Sequence, residues 1–309
     1  MSRALHALGV EPTPARPGPG PIPDALLRAM ELTIGRRVDG LLAGDHRSAL
    51  LGRGTELAQV RPYAPGDDVR LIDWNVTART GEPHVRVQLA ERVLVTWLAL
   101  DASASMAFGT RERRKADVAL GVGLALGHAA SVRGNRVGLV TFGGEQERVV
   151  RPRQGRAGLV GVLLGLRAAH EPSRGAGTTL AGALARLASV ARQRSLVVVA
   201  SDFRGPRDWR RPLLDLAGRH DVLAVEIRDP REQELEPAGV LHLVDPESGA
   251  RLRVDTGDAR LRARFAAAAA EERSGVARDL ASAGAAHVVL STEGDWLREL
   301  ATFLRRRRT

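Results

Sequence analysis

Val93-Leu94-Val95-Thr96-Trp97-Leu98-Ala99-Leu100 runs directly into Asp101-Ala102-Ser103-Ala104-Ser105-Met106. The apolar run has the length and composition of a strand buried on both faces. It delivers a carboxylate and two hydroxyls, spaced two apart, onto the turn where the strand ends. Two later segments repeat this logic. Gly177-Thr178-Thr179 opens a helical pattern, and Leu196-Val197-Val198-Val199-Ala200 ends at Ser201-Asp202-Phe203. Three loops can therefore converge on one hard cation, with Asp101, Ser103, Ser105, Thr178 and Asp202 as candidate ligands. Mg2+, with Mn2+ as the alternative, suits an all-oxygen set that keeps several waters and spends one or two carboxylates. Neutral hydroxyls leave the ion with residual positive charge, so an open coordination position attracts a carboxylate from a partner. That suits adhesion better than hydrolysis. The competing reading of Asp101 to Ser105 is a polar strand end that caps the following helix.

Working outward, strand and helix patterns alternate. The periodicity predicts strand 93–100, helix 112–132, strand 136–142, a short strand at 148–151, helix 157–168, helix 179–192, strand 195–201, helix 208–218 and strand 221–227. Alternation of this kind implies an α/β fold, a doubly wound and mostly parallel sheet with helices on both faces. Two alternating runs at 240–244 and 251–255, joined by Pro246-Glu247-Ser248-Gly249, read as a β-hairpin insertion. Asp258 caps a long Ala-rich helix to about Ser282, and strand 286–290 precedes helix 294–305. Ligands of open α/β sheets bind beyond the carboxyl ends of the strands, where strand order reverses. Asp101 and Asp202 both belong to such ends.

Upstream the pattern loosens. Residues 1–23 read as a disordered leader, because Pro12, Pro14, Pro17, Pro19, Pro21 and Pro23 prevent a regular element. The helical spacing of Leu26, Leu27, Met30, Ile34, Val38 and Leu41 predicts a helix over 25–42. From Asp45 to Gln88 glycines, prolines and charges crowd together, so residues 24–90 are expected to be an irregular segment packed on the main domain at 91–309. Within it Pro65-Gly66-Asp67 suits a tight turn, Trp74 a buried anchor, and Asp73 with Arg79 an ion pair.

The chain has 309 residues, ordinary hydrophobic (44%) and charged (27%) contents, and no cysteine, which excludes disulfides, thiolate metal sites and thiol nucleophiles. No stretch approaches the roughly 20 apolar residues that cross a bilayer, and Met1 to Leu8 is too short and broken for a signal core. A cytoplasmic location is the expectation. The net charge of +10 invites a nucleic-acid reading, but the basic residues are Arg apart from Lys115 and aromatics are only 3%, so stacking platforms are scarce. The Arg305-Arg306-Arg307-Arg308 tail reads as a solvated end. Gly121-Val122-Gly123-Leu124-Ala125-Leu126-Gly127 has the wrong spacing for a dinucleotide fingerprint and lies inside a helix, where close packing is its role. Phosphate-loop spacing is absent. The eight histidines are scattered, and none is placed to serve Ser103 or Ser105 as a catalytic base.

Gly52-Arg53-Gly54-Thr55-Glu56-Leu57, followed by Val60-Arg61-Pro62-Tyr63-Ala64-Pro65-Gly66-Asp67-Asp68-Val69-Arg70-Leu71-Ile72-Asp73-Trp74-Asn75-Val76-Thr77-Ala78-Arg79, resembles the signature of the bacterial domain-of-unknown-function 58 family. Members place it just ahead of a von Willebrand factor A-like domain, and the Asp-x-Ser-x-Ser of Asp101, Ser103 and Ser105 resembles the metal-ion-dependent adhesion site of that domain. The resemblance implies that Ser103, Ser105 and Thr178 are direct or near-direct ligands, while Asp101 and Asp202 act mainly through bound waters. Thr178 fits the family's Gly-Thr placement, and Thr179 is left to cap the helix. It also implies a non-enzymatic interaction module whose partner presents an acidic residue, a MoxR-type AAA+ ATPase or its client. The rivals are a metal-dependent hydrolase built on Asp67, Asp68 and Asp73 with the strand-end cluster, and a nucleic-acid binder using the Arg excess. The signature segment itself is either a structural brace or a second binding surface.

Overall fold

The computed structural model describes residues 4–5, 14–23, 51–89, 94–109, 112–132, 134–145, 147–169, 177–245 and 249–306. The helix expected over 25–42 lies outside the described residues. Internal contacts divide the chain into two units, residues 39–93 and the remainder. In chain order the strands and helices are β1 (Ala4–Leu5), β2 (Leu51–Pro62), α1 (Trp74–Thr80), β3 (His84–Leu89), β4 (Val95–Asp101), α2 (Lys115–Ser131), β5 (Arg136–Phe142), β6 (Arg148–Gln154), α3 (Gly155–Ala169), α4 (Leu180–Val190), β7 (Ser195–Ser201), α5 (Arg210–Ala217), β8 (Asp221–Arg228), β9 (Val240–Val244), β10 (Arg251–Asp255), α6 (Ala259–Ser282), β11 (Ala286–Ser291) and α7 (Trp296–Arg306).

The larger unit is the doubly wound α/β fold that the alternation implied. Its main sheet has the order β11-β8-β7-β4-β5-β6, parallel throughout except for the antiparallel edge strand β6. Strands β4 and β7 are buried along their whole length, which is why their sequences read as unbroken apolar runs. Side chains alternate across the sheet. Val95, Trp97 and Ala99 face a core shared with Leu184 and Leu187 of α4, Leu213 and Leu216 of α5, and Leu280 of α6. Leu98 faces the opposite side, against α2. The hairpin insertion forms as read, β9 pairing antiparallel with β10 and also with β1. β6 runs three residues beyond its expected end because Pro152, lacking an N–H, is tolerated on an edge strand.

The expectation of a disordered leader needs amending where it is described. Residues 14–23 have no regular structure, yet Arg16 N donates to Glu112 O at 2.8 Å and Trp296 Nε1 donates to Pro19 O at 3.1 Å. The segment is strapped to the unit that carries the main sheet. The glycines of α2 serve packing, as read: a Cβ at Gly121 would overlap the Trp296 ring of α7.

The smaller unit, taken by itself, is a β2–β3 antiparallel hairpin whose connection carries a 3-10 turn at Val69–Leu71 and then α1. The Pro65-Gly66-Asp67 turn forms, closed by Asp67 N to Ala64 O at 3.0 Å, and Asp67 grips Arg61 through both carboxylate oxygens at 2.7 and 2.6 Å. Two expectations fail. Trp74 is 70% exposed rather than a buried anchor. Asp73 pairs with Arg86 of β3 at 2.9 Å, not with Arg79, whose Nε reaches the Asn75 carbonyl instead. The reason is geometric: Asp73 is the N-cap of α1, taking the Asn75 and Val76 amides on Oδ1, so its free Oδ2 points across to the neighbouring strand.

Candidate functional site

The chain enters the main sheet at β4, winds outward through β5 and β6, then returns to the other side of β4 as β7. Strand order therefore reverses between β4 and β7, and their carboxyl ends flank the crevice where such folds bind ligands. Asp101 ends β4 and Asp202 follows β7. The register pairs Leu100 with Ala200, so the next residues, Asp101 and Ser201, meet side by side. Ser201 Oγ donates to Asp101 Oδ2 at 2.5 Å and itself accepts the Phe203 amide at 3.0 Å. Asp101 Oδ1 accepts the Ser103 amide at 2.9 Å. Burial first, then the negative charge of Asp202, push the Asp101 carboxyl up to about 6 against the bonds from Ser103 and Ser201.

The hydroxyls of Ser103 and Ser105 lie 3.1 Å apart, half-buried at the head of a short 3-10 turn. The loop after β5 closes the other side. Gly143 adopts φ +78°, and a Cβ there would come within 2.8 Å of Ser103 and 2.9 Å of Asp101 Oδ1, so only glycine fits the close approach. Gly143 N donates to Thr178 O at 2.9 Å, which draws the Thr178 loop to the same place. Thr179 caps α4 by accepting the Gly182 amide, as read. The Thr178 hydroxyl donates to Glu147 Oε2 at 3.0 Å, while Glu147 Oε1 is buried without a hydrogen-bond partner.

Asp202 is engaged differently. Its Oδ2 takes Lys115 Nζ at 2.6 Å and its Oδ1 takes the Arg204 amide at 3.1 Å. Lys115, the first residue of α2, also donates to Glu232 at 2.8 Å and is wholly buried. Burial alone would raise the Asp202 carboxyl; the Lys115 ammonium overrides it and holds the group below the usual carboxylate range. Phe203, next in sequence, sits at φ 53° with its ring edge-on to Trp209, 5.5 Å between centroids. A buried non-glycine residue in that region is strained, and packing holds the turn that presents Asp202.

Of the five residues read from the sequence, the structure draws together Asp101, Ser103, Ser105 and the Thr178 loop, and places Asp202 on the adjacent strand end with a cationic partner of its own. Ser201, Lys115, Glu232 and Glu147 were missed; only Lys115 carried a signal, as the lone lysine among 46 basic residues. The donor set of carboxylate and hydroxyl oxygens fits a hard cation, and Glu147 Oε1, without a hydrogen bond, has Arg186 Nε at 3.9 Å. Among the described residues no three His, Asp or Glu side chains gather as a metal-holding group. Asp67, Asp68 and Asp73 are occupied separately, by Arg61, by capping of the 3-10 turn and by Arg86. A cavity of about 450 Å3 opens on the flank, lined by Arg204, Arg207, Phe265 and Glu272 among others, and none of Asp101, Ser103, Ser105 and Thr178 lines it. No described helix is long and apolar enough to cross a membrane.

Comparison with known proteins bears on the same span. The chain is 42% identical over 284 residues to an uncharacterised protein of Mycobacterium tuberculosis H37Rv, covering 92% of this chain and 89% of that one, and a Mycobacterium bovis protein matches equally. Among solved structures, the conserved hypothetical protein BatB of Bacteroides thetaiotaomicron is similar at 12% identity and a TM-score of 0.44, over 69% of this chain and 98% of its own. A von Willebrand factor type A structure from Catenulispora acidiphila is similar at 13% identity and a TM-score of 0.34, over 69% of this chain and 42% of its own. The family model described as protein of unknown function DUF58 matches residues 59–275, which take in the 60–79 part of the signature segment, the strand-end cluster and most of the sheet, and the chain belongs to that family.

Proposed function

We propose that this chain is a non-enzymatic, Mg2+-dependent protein-interaction module whose cation is held by Asp101, Ser103, Ser105 and Thr178, with Asp202 alongside. The observation that carries this reading is the meeting of three loops at the strand-order reversal, where the Gly143 loop touches Asp101 and Ser103 on one side and bonds to Thr178 on the other. Half-buried hydroxyls, rather than a deep cavity lined by carboxylates, support adhesion over hydrolysis. A cation bound mainly by neutral oxygens keeps charge for an acidic side chain of a partner. The partner class that the family resemblance implies is a MoxR-type AAA+ ATPase or its client, with this chain as recognition module in the assembly or activation of other proteins.

Calorimetric titration of Mg2+ and Mn2+ tests the cation. Binding is expected in the native chain and is expected to vanish in Ser103→Ala with Ser105→Ala; no binding, or binding indifferent to those changes, defeats the reading. Capture of a purified MoxR-type ATPase with and without chelator tests the partner. Asp101→Ala should lose the complex with the fold intact, and a mutant that still captures it in chelator removes the cation from the interaction.

A further inference from the structure

The chain uses lysine once among 46 basic residues, and that lysine is wholly buried. Lys115 Nζ stands 2.6 Å from Asp202 and 2.8 Å from Glu232, and Arg204 lies 3.4 Å from Glu232. The four charges balance. A compact ammonium with three rotatable donors converges on two carboxylates from different loops, which the rigid planar fork of arginine does less well. Among the described residues Asp101, by contrast, meets hydroxyl and amide donors at its oxygens. A divalent cation at the strand ends would thus meet Asp101 with no ammonium beside it, and Asp202 as a carboxylate already paired with one.

We propose that Lys115 is a positioning residue that sets the cation affinity of this site: by neutralising Asp202 it keeps the chain alone a weak cation binder and makes tight binding depend on a carboxylate supplied by the partner. This rests on the adhesion-site reading above. Lys115 acts through Asp202 and does not touch the ion.

The test is titration of Mn2+ alone into the native chain, into Lys115→Met with Glu232→Gln, and into that pair with Asp202→Asn added. The paired change removes one charge of each sign from the buried network and takes the ammonium off Asp202, which keeps the Arg204 amide on its other oxygen, so Mn2+ should bind roughly tenfold more tightly. Adding Asp202→Asn should return affinity to near the native value. A purely structural role for Lys115 could only weaken binding, so a gain in affinity is the distinguishing result. Folded paired variant with no gain overturns the proposal while native binding persists; no binding in any of the three proteins overturns the adhesion-site reading itself. A second measurement needs no variant. Because Lys115 is the lone lysine, acetylation by an amine-reactive ester, read by mass spectrometry, reports its exposure directly. It should stay unmodified with and without Mg2+. Acetylation that appears on adding Mg2+ would mean that the cation displaces the ammonium from Asp202, and the proposal fails.

Discussion

Two regions of this chain hold an aspartate against a basic side chain at nearly the same distance, and the surroundings make them different devices. In the strand-end cluster Lys115 meets Asp202 at 2.6 Å with side chains 0% and 4% exposed. In the hairpin unit Arg86 meets Asp73 at 2.9 Å with the arginine 47% exposed. Water screens the second pair and leaves it a local brace for a short helix. The first has no water to fall back on, so each charge depends on its partner. Two of the four tryptophans repeat the contrast: Trp209 is 1% exposed in the core and Trp74 is 70% exposed on α1.

The comparison breaks most visibly at Lys115. Lys115→Met alone leaves two buried carboxylates, Asp202 and Glu232, to the single cation Arg204 and should destabilise by about 3–5 kcal/mol in urea unfolding; a loss under about 1 kcal/mol would show that the pair behaves like the exposed one. Trp209→Ala empties a filled core position and should also lose about 3–5 kcal/mol, toward the lower end if α5 settles into the gap. Ser201→Ala removes the hydroxyl that donates to the buried Asp101 carboxylate, for an expected loss of about 1.5–3 kcal/mol in the same measurement.

Glu226 sharpens the contrast through pH. Burial would raise its carboxyl, but hydrogen bonds from His287 and Arg228 override this and hold it below its ordinary 4.5. A depressed carboxyl contributes stability that is fully present above 4.5 and is lost as pH falls through the folded value. Glu226→Gln should therefore flatten the acid limb of a stability-against-pH curve, and an unchanged limb would show that the cluster does not couple to folding. The smallest effect is expected at Trp74. Trp74→Ala should stay within about 0.5 kcal/mol, as for other surface changes, and a melting temperature shifted by several degrees would restore the anchor role that its sequence context suggested.

Much of the main sheet was legible because its central strands β4, β5, β7 and β8 are buried almost throughout and helices such as α4 and α7 carry an apolar stripe, so local composition and period carry the signal. Strands 136–142, 195–201, 240–244 and 251–255 begin and end where the pattern placed them. The strand-end motif was equally local: Asp101, Ser103 and Ser105 sit on one turn, and a strand end is where a carboxylate can point at a crevice. Legibility fell where a residue's partner is distant in sequence. Nothing around Lys115 announces Asp202 or Glu232, 87 and 117 residues away, and nothing around Ser201 announces Asp101.

The sequence by itself determined the α/β order, the family signature and the oxygen-rich turn after β4, since each is written in contiguous residues. Only the tertiary structure decided how charge is apportioned there, because sheet register sets which side chains meet across strand ends and burial sets how strongly they interact. It likewise decided that Trp74 faces water and that Asp73 chooses Arg86, since a helix cap fixes where a carboxylate's remaining oxygen can point.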